Sequence, residues 1–141
     1  MSDIIIKHEL EIEALTDNLQ SVIDFVEENL ELTACSMKIK MQIDIAVEEL
    51  FVNIAHYAYT PATGKAIITI EIDNDNKEVS ITFTDSGIPF NPLEKEDPDV
   101  SLSAEERKIG GLGIYMVKKS MDKVRYAYED GKNKLTITKK V

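Results

Sequence analysis

Between Met37 and Tyr57 the chain carries apolar residues on nearly every side of a helix. Ile43, Val47, Leu50, Phe51 and Ile54 form the main stripe, with Val52 and Ala55 beyond it. A helix greasy nearly all round must be enclosed by other elements, so it belongs in the middle of a domain. The polar residues that interrupt it are therefore informative. Glu49 and Asn53 lie four residues apart, about 40° around the axis and so on one face. A carboxylate and a carboxamide side by side at a core edge are costly to bury unless they meet something polar. A Mg²⁺–phosphate group would suit both: an amide oxygen for the hard cation, a carboxylate for proton abstraction or water positioning. Capping or bonding to neighbouring loops accounts for the pair equally well. Glu48 points roughly 100° away and is the weaker candidate.

The rest of the chain supplies the enclosure. Ile4, Ile5, Ile6 and Leu10 suggest a short β-branched first strand. From Thr16 to about Leu32, Leu19, Val22, Ile23, Val26 and Leu30 recur at helical spacing behind the start signals Thr16, Asp17 and Asn18. Lys65–Asp73 alternates as a strand, Asp73-Asn74-Asp75-Asn76 turns, and Val79, Ile81 and Phe83 alternate in a strand ending at Asp85. Residues 86–110 are charged and without periodicity, and so long a loop in a compact domain is usually functional or mobile. A short helix over Gly111–Met121 would set Leu112, Tyr115, Met116 and the stem of Lys119 inward, before a final hairpin turning at Asp130-Gly131-Lys132-Asn133. This order predicts one α+β domain over residues 1–141, a two-layer sandwich with helices on one face of a mixed, mostly antiparallel sheet.

Charge and cysteine usage exclude several classes. A formal net charge of −10 argues against direct nucleic-acid binding, which needs basic patches. A nucleotide stays open, because backbone N–H groups and Mg²⁺ can meet its phosphates. Cys35 is the sole cysteine, which rules out an intramolecular disulfide and reads as a small packing residue. No basic leader with a long apolar stretch opens the sequence, and no apolar run approaches spanning length, so a cytoplasmic protein without a membrane partner is expected.

Two further clusters carry chemistry. Thr84-Asp85-Ser86-Gly87 ends an alternating strand. There Asp85 can accept from an exocyclic amine, while Gly87 lets a flat ring approach the backbone. The same residues also make a plain turn. Gly110-Gly111-Leu112-Gly113-Ile114-Tyr115 brings a loop into a helix, where backbone N–H groups can close around a polyphosphate. A hinge or a tight helix–sheet contact would use the same glycines. No Gly-Lys-Ser/Thr follows, so this is not a P-loop.

Taken in order, helix Glu-x-x-x-Asn, strand-end Asp-x-Gly, a loop, and Gly-x-Gly opening a helix resembles the three boxes of GHKL ATPases with the Bergerat fold. The whole chain is similar to the compact version in anti-sigma-factor serine kinases, as in Glu48-Glu49-Leu50-Phe51-Val52-Asn53 and Met121-Asp122-Lys123-Val124. The resemblance implies an ATP/ADP site with Mg²⁺ and a protein serine/threonine kinase that passes the γ-phosphate to a serine of an antagonist protein. It also implies that the chain can sequester a sigma factor, and such kinases commonly pair as homodimers. Carried over, Glu49 activates the acceptor hydroxyl, Asn53 holds Mg²⁺, and Asp85 reads the adenine amine with Gly87 beside the ring. Gly110, Gly111 and Gly113 line the phosphates under a lid at about 88–110, where Lys108 could add positive charge.

Departures are visible too. Where relatives often carry His four residues after the box asparagine, this chain has Tyr57, and His56 reads as a helix-end packing residue. The family's threonine near the last strand falls around Asn133–Lys134, leaving only Thr136 and Thr138 nearby. A non-catalytic nucleotide-dependent binding module would show the same motifs. A detached histidine-kinase domain is disfavoured because His8 lies on a strand, and a chaperone-like ATP hydrolase because the downstream domains are missing. The helix over residues 16–31 could offer a dimer or partner face, although a solvated outer face is the plainer account.

Overall fold

The computed structural model describes residues 5–94 and 112–141. β1 (Ile5–Glu13) leads through a 3₁₀ turn at Thr16–Asn18 into α1 (Leu19–Leu30), and α2 (Met37–Asn53) continues as a π-helical turn over Ile54–Ala58. Then follow β2 (Lys65–Asp73), β3 (Glu78–Asp85), α3 (Leu112–Ser120), β4 (Lys123–Glu129) and β5 (Lys132–Lys140). The sheet order is β1-β2-β3-β5-β4. All four pairings are antiparallel, so the expected parallel admixture is absent from it.

Alternation decides which sheet face is covered. Ala66, Ile68, Ile70 and Ile72 of β2 and Val79, Ile81 and Phe83 of β3 are buried, as are Leu135 and Ile137 of β5. Their partners across this face are Val22, Val26 and Leu30 of α1 and Ile43, Val47, Leu50 and Phe51 of α2. On the opposite face, hydroxyl ladders join β3 to β5: Ser80 to Thr138 at 3.1 Å and Thr82 to Thr136 at 2.9 Å. Thr136 and Thr138 thus have a structural account.

Element ends follow local chemistry. Ser36 Oγ accepts from the Ile39 N–H and caps α2. Asp73 accepts from the Asn76 and Asp75 N–H groups and the Asn76 side chain, which holds its carboxyl below the usual range. Asp130 and Gly131 both take positive φ, the conformation an Asp-Gly hairpin turn demands. Lys132 and Asn133 belong to β5 rather than to the turn. Asn29 of α1 meets His8 of β1 at 2.5 Å, tying the edge strand to the helix layer.

α3 corrects the sequence reading. Ile114 and Val117 face the core, with Met121 just beyond, whereas Met116 is half exposed and Lys119 lies in solvent over the Tyr115 ring. Both rows have helical spacing, so periodicity alone does not separate them. Docking against α2 selects the Ile114 row. His56 is likewise exposed, edge-on to the exposed ring of Tyr57, and does not pack into the core.

Where α1 packs on α2, Asp44 lies beside Glu27, whose other neighbour is Lys40 at 3.7 Å. Asp44 Oδ1 is buried with no donor facing it. Two ionised carboxylates cannot bond each other, but one proton between them can satisfy both. Burial first, then Glu27, pushes the Asp44 carboxyl up to about 7. Because the folded state binds this proton more tightly than the unfolded chain, stability falls as pH rises from about 4 to about 7 and levels above that. Asp44→Asn removes the penalty. The variant should match wild type in urea unfolding at pH 4.5 and exceed it by about 1 kcal/mol at pH 8, after discounting for solvent screening. Equal stability at pH 8 would refute this account.

Candidate functional site

A cavity of about 340 Å³ opens between the end of α2, the ends of β3 and β5, and α3. It falls within the size range of small-ligand sites. Leu50, Asn53, Ile54 and Tyr57 enter it from α2 and its π-helical turn, spaced so that they share one face. Phe83, Leu135 and Ile114 line it from the sheet and α3, and Ile88, Phe90 and Pro92 from the segment after β3. The lining is mainly apolar, with a few convergent polar groups.

Asp85 is one of the two buried ones among them, 7 % exposed. It is the last residue of β3, and the register sets it directly opposite Asn133 of β5. Asp85 Oδ1 accepts from the Gly87 N–H at 2.9 Å and from Asn133 Nδ2 at 2.9 Å. Asn133, itself 6 % exposed, also donates to the Ile88 carbonyl at 2.8 Å. Its Oδ1 accepts from the Phe90 N–H at 3.1 Å and from the Tyr126 hydroxyl. Burial raises the Tyr126 phenol above its ordinary value, and the charge of Asp85 adds to this against the opposing Phe90 backbone contact. The hydroxyl therefore stays protonated and donating at neutral pH.

The turn after β3 is latched to the end of the central helix. The Ile88 N–H donates to the Ala58 carbonyl at 3.0 Å, and a Cβ on Gly87 would collide with that same carbonyl. Close backbone approach thus requires glycine at 87 even with no ring beside it. Tyr59 adds a second latch: its hydroxyl donates to the Lys65 carbonyl at 2.6 Å and accepts from the Ser86 N–H at 2.7 Å.

Glu49 stands one helical turn before Asn53, half buried and outside the cavity lining. Its carboxylate lies against Gly113 at the start of α3, where any Cβ would overlap it. The structure therefore brings together Asn53 and Asp85 in one cavity, Gly87 at its edge, and Glu49 with Gly113 beside it. Gly110, Gly111, Lys108 and the expected lid from residue 95 onward lie outside the described residues. Among the described residues no three His, Cys, Asp or Glu side chains cluster as a metal site. A cation at Asn53 would take most of its ligands from phosphates and water. Asn133 and Tyr126 are the residues sequence reasoning left without a role. The only signal was their position near the final strand.

The family model of the histidine kinase-like ATPase domain matches residues 12–139. The chain is 27 % identical over 103 residues to the serine/threonine-protein kinase BtrW of Bordetella bronchiseptica, covering 73 % of this chain and 72 % of that one. It is 30 % identical over 94 residues to the serine-protein kinase RsbW of Listeria monocytogenes, covering 63 % of this chain and 59 % of the relative. Among solved structures, the RsbU and RsbW domains of a Mycobacterium tuberculosis protein align with a TM-score of 0.64 at 16 % identity, over 94 % of this chain and 32 % of that one. That likeness shows the fold, α+β with a five-stranded sheet. No helix among the described residues is long and apolar enough to cross a membrane.

Proposed function

The chain belongs to the histidine kinase-like ATPase domain family, and on that premise we propose that it is an ATP-dependent protein serine/threonine kinase of the anti-sigma-factor type. The observation that carries this reading is Asp85, a buried carboxylate at a mainly apolar cavity that Asn53 also lines. An aromatic base suits the apolar walls, and a carboxylate held as an acceptor suits an exocyclic amine. ATP fits these residues, and Mg²⁺ fits the amide oxygen of Asn53 with phosphate and water completing its shell.

When bound, MgATP supplies the phosphoryl group and the cation that screens its charge. Asp85 orients the base. Asn53 fixes the phosphate end along the same helix face. Glu49, one turn away and against Gly113, accepts the proton of the attacking serine hydroxyl. Gly113 admits that carboxylate because it lacks a Cβ, and Gly110 and Gly111 precede it in the phosphate-lining role. The relatives' printed names support a serine on a protein partner as the acceptor. Sigma-factor sequestration, self-association and a cytoplasmic location extend this proposal. So does the treatment of residues 1–141 as one domain with a lid at about 88–110.

Calorimetry of the folded protein with MgATP and MgADP tests it. Saturable binding at micromolar to about millimolar nucleotide is expected, with about −4 to −8 kcal/mol of binding free energy. Folded protein that takes up no heat-detectable nucleotide in that range would overturn the nucleotide assignment and the kinase with it.

A further inference from the structure

Asn133 is a buried polar residue of the cavity that the proposed chemistry leaves unused, and its surroundings fix what it does. Its carboxamide has one orientation open to it. The Phe90 N–H can only donate and the Ile88 carbonyl can only accept, so Oδ1 must face Phe90 and Nδ2 must face Ile88. That choice also points the amide N–H₂ at Asp85 Oδ1, at 2.9 Å. All four hydrogen-bonding positions of the carboxamide are then filled by Asp85, Ile88, Phe90 and Tyr126. A saturated side chain does not bind a ligand; it holds other groups still.

We propose that Asn133 is a positioning residue of the nucleotide site, an inference that rests on the nucleotide reading above. It fixes Asp85 as a hydrogen-bond acceptor by giving its Oδ1 a neutral donor. It also pins the cavity wall Ile88–Phe90 to β5. The titratable groups around it are Asp85 from β3, Tyr126 and Tyr128 from β4 and Glu94 from the segment beyond Phe90. Asp85 is the carboxyl among them in hydrogen-bond contact with it.

Asn133→Asp keeps the shape and the acceptor for Phe90 and Tyr126 but sets a second carboxylate against Asp85 Oδ1. Two such carboxyls must share a proton or separate. The variant's MgATP affinity should stay within about threefold of wild type at pH 5.5 and fall by about 30-fold or more at pH 8, while wild type changes less than about threefold. Asn133→Ala should lose about tenfold at both pH values, because no new charge is introduced. A readout without nucleotide is amide exchange at Phe90, which should accelerate by about tenfold in Asn133→Ala as the N–H loses its acceptor. Pairing both variants with circular dichroism separates misfolding from misplacement, and the Phe90 exchange reads the latch directly in whichever variant folds. Asn133→Ala binding MgATP like wild type would overturn the proposal, as would a pH-independent deficit in Asn133→Asp equal to that of Asn133→Ala, or unchanged exchange at Phe90. Failure of wild-type protein to bind nucleotide would instead sink the nucleotide reading, and with it the role of Asn133 in binding.

Discussion

Asp85→Asn should abolish MgATP binding at accessible concentrations while leaving the fold intact. The substitution is isosteric and the buried site stays hydrogen-bonded, so unfolding is not the route to the loss. The loss comes from the direction of the new amide. The Gly87 N–H and the Asn133 N–H₂ both point at position Oδ1 of residue 85, and the backbone fixes the orientation of Asn133. The new carboxamide must answer those donors with its oxygen, which turns its own N–H₂ toward the cavity. There it faces the amine of the base donor to donor. Losing a charge-assisted bond and gaining an unpaired donor together cost about 3–4 kcal/mol, or roughly 100- to 1,000-fold in Kd. Calorimetry with MgATP, alongside thermal melting of both proteins, checks this. A variant binding within about threefold of wild type would mean that Asp85 does not read the base, since a lost charged contact cannot be worth so little.

Much of the scaffold behind this site can be read from periodicity. β2 and β3 alternate so regularly that buried Ala66, Ile68, Ile70 and Ile72 stand opposite buried Asp85, Phe83, Ile81 and Val79 in the pairing. The central helix was legible in its buried row Ile43, Ala46, Val47, Leu50 and Phe51, but Met37, Met41 and Ile45 on its other side are exposed, so apolar residues on most faces did not mean enclosure on all of them. The helix's final turn was not legible. The π-helical turn over Ile54–Ala58 sets Tyr57 at the cavity rim and leaves His56 in solvent, and its Ala58 carbonyl meets the Ile88 N–H, a contact between distant segments. The inner face of α3 was misread for a related reason. Leu112, Tyr115, Met116 and Lys119 match a helical stripe as well as Ile114, Val117 and Met121 do, and the contact of Gly113 with Glu49 decides between them. Asn133 failed differently. Its place beside Asp85 is a matter of strand register, which links residues 48 apart in sequence and which no local pattern encodes. Gly87 was singled out for the approach of a flat ring, whereas the need for glycine that the structure shows comes from the Ala58 carbonyl.

Glu49→Gln should separate binding from chemistry. The glutamine keeps the size of the side chain, so the packing against Gly113 and the meeting of α2 with α3 survive. Asn53 and Asp85 are untouched, and Glu49 does not line the cavity. MgATP affinity should therefore stay within about threefold of wild type. What disappears, under the proposed mechanism, is the acceptor for the serine proton. An amide cannot take that proton, and removing a general base costs about 10²- to 10⁴-fold in rate. Single-turnover transfer of labelled γ-phosphate to a serine-bearing antagonist protein reads the step without interference from product release. Lost transfer with retained binding places Glu49 at the reacting hydroxyl, with Asp85 and Asn53 supplying the site it acts on. Transfer at the wild-type rate would remove Glu49 from the chemistry and move the search for the base to another group near Gly113. Wild-type protein that binds MgATP but transfers nothing to a serine partner would support instead a module in which nucleotide sets partner affinity, since binding and transfer share the residues of this cavity.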